Sequence, residues 1–565
     1  MTALLIDNLP LLAGAPNGIK KLRELILELA VRGKLVSQDP NDEPASELLK
    51  RIAEEKARLV AEGKIKRSKP LADINELDKP YELPAGWSWT TLPGAASYQI
   101  GKTPPTKESK FWDDSGQPWV SISDMEHYGE ISDTARKVSV LAQQDVFKYP
   151  PVPAGTLLMS FKLTVGKVAM LAVDAYHNEA IISLSPFCGV SKDYLFRFLP
   201  SIALGGQQKN ALMGNTLNSE SMAQLLVPIP PLAEQHRIVA KVDELMALCD
   251  RLEARQADAE SAHAQLVQAL LDSLTQARDP EDFAQSWQRL AEHFHTLFTT
   301  ESSIDALRQT LLQLAVMGKL VPQDPNDEPA SDLLKHIAEE KAQLVVGGKI
   351  KKQKPLADVT EAEKSFALPD SWVWIRLEEI AQVGTGATPL RTNPKYFDLA
   401  TVNWVTSGET SQDFIRETEQ RVSALALAET NLTVYPPHTL IIAMYGQGKT
   451  RGQISELLID ACTNQACAAI QLFDPDESHR RYVKYFFVKS YDDLRMLAAG
   501  GAQPNLNLGK IKETVIPLPP LAEQHRIVAK VDQLMALCDQ LKARLNQARQ
   551  VHEQLANALV EQAVA

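Results

Sequence analysis

One passage of 53 residues is written twice in this chain. "LRELILELAVRGKLVSQDPNDEPASELLKRIAEEKARLVAEGKIKRSKPLADI" (22–74) returns as "LRQTLLQLAVMGKLVPQDPNDEPASDLLKHIAEEKAQLVVGGKIKKQKPLADV" (307–359), with 39 identities in 53 positions. A second pair, "PPLAEQHRIVAKVDELMALCDRLEAR" from Pro230 and "PPLAEQHRIVAKVDQLMALCDQLKAR" from Pro519, is displaced by 289 residues against 285 for the first. The second module has therefore gained a net four residues between its kept edges. Two copies fall short of the three or more that a stacked solenoid needs, so a whole module has been duplicated in tandem. Each copy reads as a helix pair, an insert and a long helix.

In the second long helix Ile527, Val531, Leu534, Cys538, Leu541, Leu545, Ala548, His552, Leu555 and Leu559 step by four and three, a heptad seam. In the first, Ile238, Val242, Leu245, Cys249, Leu252, Ala259, His263, Leu266 and Leu270 hold the equivalent places, with Gln256 where Leu545 falls. Two helices with one seam each most simply pack on each other, with His263, His552, Cys249 and Cys538 as core fillers. Pro230, Pro231, Pro519 and Pro520 end a strand and start these helices. Ser46 and Ser331 are expected as N-caps of the second helix of each pair, after a "QDPND" turn.

The inserts hold most of the aromatics and glycines. Short apolar runs such as "GTLLMSF", "KVAMLAV" and "TLIIAMYG", bounded by Gly, Pro and Asn, predict α/β domains with short strands. The expected divisions are 1–80 helical, 81–230 first insert, 231–306 long helix and connector, 307–365 helical, 366–520 second insert and 521–565 long helix.

No apolar run reaches the ~18 residues of a membrane span, and the start lacks signal-peptide features, so the cytoplasm is the expected location. Five cysteines without a CxxC pair argue against a disulfide framework or a zinc site, and no metal is expected. A net charge of -12 argues against gripping nucleic acid by bulk positive potential alone. Surfaces kept alike in a duplicated chain predict two like partners, and diverged inserts predict two unlike targets. Two DNA half-sites held apart by a helical spacer would be one instance.

The arrangement resembles the specificity subunit of type I restriction-modification systems over nearly the whole chain. The motifs that carry the resemblance are "LPAGWSWTTL" at Leu83, "GKTPPTKESKFWDDSGQPWVSISDM" from Gly101, "MYGQGKTRG" from Met444, "GAQPNLNLGKI" from Gly501 and the two "PPLAEQHRIVAKVD" helices. The resemblance implies two α/β target recognition domains separated by long antiparallel coiled-coil helices, with an internal pseudo-twofold repeat. It further implies a non-catalytic subunit that binds a bipartite double-stranded DNA target and docks two adenine-N6 methyltransferase subunits, with two restriction subunits as possible additions. No cofactor is expected in this chain; the partners would use S-adenosylmethionine, and ATP with Mg. The chain lacks the (D/N)PP(Y/F) motif of amino-methyltransferases, since "YPPV" at Tyr149 and "YPPH" at Tyr435 want the Asp or Asn.

Two other classes compete. A helical adaptor that never touches DNA would lack a concave, locally positive face on each insert. A nucleotide-binding loop is suggested by "AMYGQGKT" (443–450), but Ala443 replaces a glycine, Gly452 interrupts the required helix, and only nine residues separate Thr450 from Asp460. "GTGATP" at Gly384 reads as a turn, and the basic "GKIKRSKP" and "GKIKKQKP" as solvated turns or phosphate contacts.

Polar loop residues are the candidates for DNA contact: Lys102, Thr103, Lys107, Ser121, Lys162, Thr164, Asn215 and Asn218 in the first insert. In the second they are Thr388, Arg391, Tyr445, Gln447, Lys449, Arg451, Gln503, Asn505 and Asn507. Trp112, Trp119 and Trp404 are expected in cores. Glu234, Arg237, Glu523 and Arg526, matched between the two helices, are the candidates for partner docking.

Overall fold

The computed structural model describes residues 9–63, 74–75, 77, 79–208, 219–278, 280–350, 356–446, 449–499 and 506–564. They form two compact units, Met1–Ala259 with Ala548–Ala565, and Glu260–Gln547. Among the described residues no helix is long and apolar enough to cross a membrane.

In unit 1 the helix pair is α1 (Gly18–Val31) and α2 (Ala45–Ala61). The insert's principal helix is α3 (Lys192–Gln208), and the long helix is α4 (Leu232–Thr275). A connector helix, α5 (Pro280–Glu292), leads to the repeat: α6 (Glu301–Val316), α7 (Ala330–Val346), α8 (Glu477–Lys489) and α9 (Leu521–Val564). Both modules thus keep the expected order.

The helices of each pair start earlier than Ser46 and Ser331. Pro44 and Pro329 occupy the N-cap positions, because the following amides of Ala45 and Ala330 already donate to Gly86 O (2.8 Å) and Ser371 O (3.0 Å). After α1 and α6 the chain turns at Gly33 (φ 69°) and Gly318 (φ 70°), the left-handed position that ends many helices. A Cβ there would lie 2.4 Å and 2.6 Å from the Cγ of Pro84 and Pro369, so glycine is required by space as well as by φ.

The first insert has strands β1 (Ser88–Thr91), β2 (Ala96–Ile100), β3 (Trp112–Val120), β4 (Gly129–Ile131), β5 (Arg136–Val138), β6 (Leu157–Ser160), β7 (Val168–Leu171), β8 (Tyr176–His177), β9 (Ile181–Pro186) and β10 (Leu226–Ile229). The second repeats them as β11 (Val373–Arg376), β12 (Ala381–Thr385), β13 (Val402–Val405), β14 (Phe414–Ile415), β15 (Gln420–Val422), β16 (Leu440–Ala443), β17 (Ile454–Leu457), β18 (Cys462–Thr463), β19 (Cys467–Leu472) and β20 (Val515–Leu518). Each insert builds a five-stranded sheet, β2-β9-β6-β7-β4 or β12-β19-β16-β17-β14, and a three-stranded sheet, β5-β3-β8 or β15-β13-β18. A two-stranded ribbon, β1-β10 or β11-β20, ties the insert's ends together. The central strands are buried, as the continuous apolar runs of β6 and β16 require. The topology of one insert is that of the other, so their divergence is confined to side chains and loops.

The helical cores lie within the units. In unit 1, Leu22, Leu25 and Ile26 of α1 pack with Ile238, Val242 and Cys249 of α4 and with Ala556 and Ala563 at the end of α9. In unit 2, Leu307 and Leu311 of α6 pack with Val267, Leu271 and Leu274 at the end of α4 and with Cys538 of α9. The expected seam therefore holds as far as Leu252 and Leu545, after which the fully buried positions move by one, while Leu270 and Leu559 stay half-buried against the cores. Leu266 and Leu555 are 53% and 43% exposed, His552 is exposed, and half-buried His263 lies 3.3 Å from Thr296 O by its Nε2. The packed residues Val267, Leu271 and Leu274 each stand 29 residues after Ile238, Val242 and Leu245, and Ala556 stands 29 after Ile527. Eight turns of a straight α-helix take about 29 residues, whereas a 3.5-residue seam drifts off the face by ~20° per heptad.

Candidate nucleic-acid interface

The kept start of each long helix explains itself inside its own unit. Glu234 is buried and accepts from Trp87 Nε1 (3.0 Å) and Gln38 Nε2 (3.2 Å). Glu523 does the same with Trp372 Nε1 (2.8 Å) and Gln323 Nε2 (2.7 Å). Arg237 pairs with Asp42 (2.6 Å) and Arg526 with Asp327 (2.5 Å), both in the "QDPND" turns. Gln235 Nε2 donates to Pro230 O (3.0 Å) and Gln524 Nε2 to Pro519 O (2.8 Å), bracing the strand-to-helix corner. Burial raises the pKa of both glutamates, against the hydrogen bonds that lower it. Glu234 and Glu523 are therefore withdrawn from any docking face, a correction to their expected role; Arg237 and Arg526 are committed to the same joint.

In each insert one end of the sheets gathers loops from distant parts of the sequence. In the first insert, the backbone leaving β2 is bonded to the β8-β9 turn by Lys102 N to His177 O (2.9 Å). That turn is bonded to the end of β3 by Asn178 N to Val120 O (3.0 Å) and to the end of β6 by Phe161 N to Ala180 O (2.9 Å). Lys102, Thr103, Ser121, Lys162 and Thr164 meet here. In the second insert Ala387 N to Thr463 O (3.1 Å), Asn464 N to Val405 O (2.9 Å) and Met444 N to Ala466 O (2.7 Å) repeat the weave and bring Thr388, Tyr445, Lys449 and Arg451 together. Gly101 and Gly386 sit where the turn crosses closely, since a Cβ would lie 2.0 Å from His177 O and 1.5 Å from Thr463 O. The glycine of "GTGATP" is thus a packing requirement.

The candidates have different fates at this end. Lys102 and Thr164 are exposed, and Lys102 Nζ donates to Val146 O (2.9 Å). Lys162 is half-buried, its Nζ 5.3 Å from the centre of the Phe161 ring. Tyr445 is 38% exposed and Lys449 is exposed, whereas Arg451 has a buried Nε without a hydrogen-bond partner among the described residues. Ser121 turns inward to its own chain, capping a 3-10 turn through Asp124 (2.6 Å). Lys107 and Arg391 stand exposed further along the long loops after β2 and β12. Asn507 caps the helix Leu508–Lys512 by accepting from Lys510 N (2.9 Å). Asn215, Asn218, Gln447, Gln503 and Asn505 lie outside the described residues, as does most of the two basic clusters.

Trp119 and Trp404 are core residues, while half-buried Trp112 carries the Arg136 guanidinium 3.3 Å from its ring centre. The stretch that suggested a nucleotide loop connects two antiparallel strands, with Ile442 opposite Ile454. A hairpin stands where phosphate binding would need a helix N-terminus. Among the described residues no cluster of His, Cys, Asp and Glu is arranged to hold a metal.

Two residues at this end were missed by sequence reasoning. Glu179 and Gln465, both exposed, occupy the apex of the matched turns and accept from the hydroxyls of Thr103 and Thr388 respectively. The shared Asn-x-Ala of "HNEAI" and "TNQAC" was the available signal.

The sequence signature described as "Type I restriction modification DNA specificity domain" matches residues 84–260 and 369–549, one match per insert with its long helix. This chain belongs to the type I restriction-modification specificity subunits. It is 39% identical to the type I restriction enzyme EcoAI specificity subunit of Escherichia coli, over 97% of this chain and 94% of that one. It is 38% identical to the EcoEI specificity subunit of the same organism, with the same coverage. The crystal structure of an HsdS subunit from Thermoanaerobacter tengcongensis is 19% identical, covering 86% of this chain and 98% of that one with a TM-score of 0.41. As a specificity subunit the chain recognises a DNA target.

Proposed function

We propose that this subunit reads a bipartite DNA sequence, one half with each insert, and carries no chemistry of its own. The observation that carries this reading is a pair of topologically identical domains whose sheet ends present different polar side chains. Methyl transfer from S-adenosylmethionine to adenine N6 belongs to two partner methyltransferase subunits, and ATP with Mg to restriction subunits where these join. The net charge of -12 fits such a division, in which partners supply much of the positive surface around DNA. The complex would work in the cytoplasm.

With Glu234 and Glu523 enclosed, the docking surface falls to the residues that are both kept and exposed on the long helices. His236, Ala240, Ala247 and Arg255 lie on one side of α4, with His525, Ala529, Ala536 and Arg544 at the matched places on α9. His525 Nε2 lies 3.1 Å from Asp476 Oδ2; nothing in the joint described above accounts for the identity of the others.

The test is to coexpress the chain with the methyltransferase subunit encoded beside it and to map N6-methyladenine in the host DNA by single-molecule sequencing. A single motif of two fixed halves, each half lost on replacing one insert, is the expected result. An assembled complex that methylates without sequence preference would overturn the reading.

A further inference from the structure

We propose that Glu179 and Gln465 read bases: Glu179 a base that offers a hydrogen-bond donor, as cytosine does through N4, and Gln465 an adenine. This rests on the DNA-recognition reading above and adds which residue of each insert discriminates, and for what.

Four observations carry it. The two residues hold the same place in the two inserts, at the apex of the β8-β9 and β18-β19 turns. In each, the preceding asparagine closes the turn with its side chain: Asn178 Oδ1 accepts from Ala180 N (3.0 Å), and Asn464 Oδ1 from Ala466 N (2.9 Å). The turn backbone is bonded on both sides to neighbouring strands, so its apex has little freedom. Finally, a threonine from the loop after the sheet's edge strand, Thr103 or Thr388, donates to the apex side chain and fixes its rotamer.

What differs is the group left over. The Glu179 carboxylate, with one oxygen taken by Thr103, can only accept. The Gln465 amide, with its oxygen engaged by Thr388, keeps two N–H donors and a second lone pair. A bidentate amide matches the N6/N7 edge of adenine, and a carboxylate matches the cytosine N4 amine. A carboxylate on a face that meets DNA is repelled by phosphate, so its free oxygen favours a hydrogen-bond donor such as a base amine. The exposed Lys102 has its ammonium on Val146 O. The two inserts therefore carry one reading device with different chemistry at its tip.

The isosteric exchanges Glu179→Gln and Gln465→Glu, made separately in the full chain coexpressed with its methyltransferase subunit, test this through the methylated motif. Each is expected to change base preference roughly tenfold or more at one position. Glu179→Gln should act in one half-site only and Gln465→Glu in the other, the spacer staying as in the parent. An unchanged motif in both variants with methylation intact overturns the assignment. If a variant assembles but methylates nothing, selection from a randomised duplex pool replaces the cellular map. A selected motif identical to the parent's then counts against the proposal, and one altered at a single position supports it. Failure of the parent complex itself to yield a motif would overturn the DNA-recognition reading instead.

Discussion

His177 lies directly beneath the Glu179 turn, buried, with Nε2 lacking a hydrogen-bond partner among the described residues. Burial pulls its pKa down to about 4 from an ordinary 6.5. The folded chain keeps the imidazole neutral, whereas the unfolded chain takes up a proton as pH falls through 6.5. Stability from this residue is therefore complete above pH 6.5 and is lost progressively as pH drops toward 4, by about 3 kcal/mol in all. Urea titrations at pH 7 and pH 5 should show a smaller loss of stability for His177→Leu than for the parent; equal losses would refute it. The joint at Glu523 makes a second prediction. Glu523→Ala leaves Trp372 Nε1 and Gln323 Nε2 as buried donors without their acceptor. It should cost about 2 to 3 kcal/mol by chemical denaturation, whereas substitution of exposed His236 should fall within about 0.5 kcal/mol.

At the scale of elements the long helices are the instructive case. Apolar residues at heptad spacing marked both helices in the sequence, yet a heptad seam and a straight helical face coincide for the first two turns and separate by one position after about four heptads. Hydrophobic spacing alone favours Leu266; packing selects Val267 and Leu271. Leu271→Ala should therefore destabilise unit 2 by about 2 to 5 kcal/mol, and Leu266→Ala by no more than about 0.5 kcal/mol. Thermal unfolding of the two variants decides between the faces, since a true seam at 266 would reverse the order. Prolines near both ends of each insert punctuate the chain locally. The helix starts at Ala45 and Ala330 were not legible, because the amides of these residues are held by distant carbonyls, Gly86 O and Ser371 O, which sequence spacing does not show.

For the whole molecule, duplication with unequal divergence separates what must be alike from what must differ. The joint of Trp, Glu, Gln, Arg and Asp accounts for much of the identity between the copies without any partner. Docking should therefore be sought on the exposed side. If two methyltransferase subunits dock as proposed, Ala247→Arg in the first copy alone is expected to release one of them, and the double variant with Ala536→Arg both. Native mass spectrometry reads the stoichiometry, and an unchanged two-to-one complex in the double variant would move docking elsewhere.

The residue pattern by itself determined that the chain is two copies of one module, because 39 identities in 53 positions recur in the letters alone, and it weighed against a phosphate-binding helix at "AMYGQGKT" through the local spacing of Ala443, Gly452 and Asp460. Only the tertiary structure decided what the kept glutamates are for, which face of the long helices is packed, and that Glu179 and Gln465 stand at matched turn apices of the two inserts. Those outcomes depend on contacts between residues as far apart as Trp87 and Glu234, 147 positions, or Trp372 and Glu523, 151 positions. The side chains that meet across such distances are chosen by the path of the whole chain.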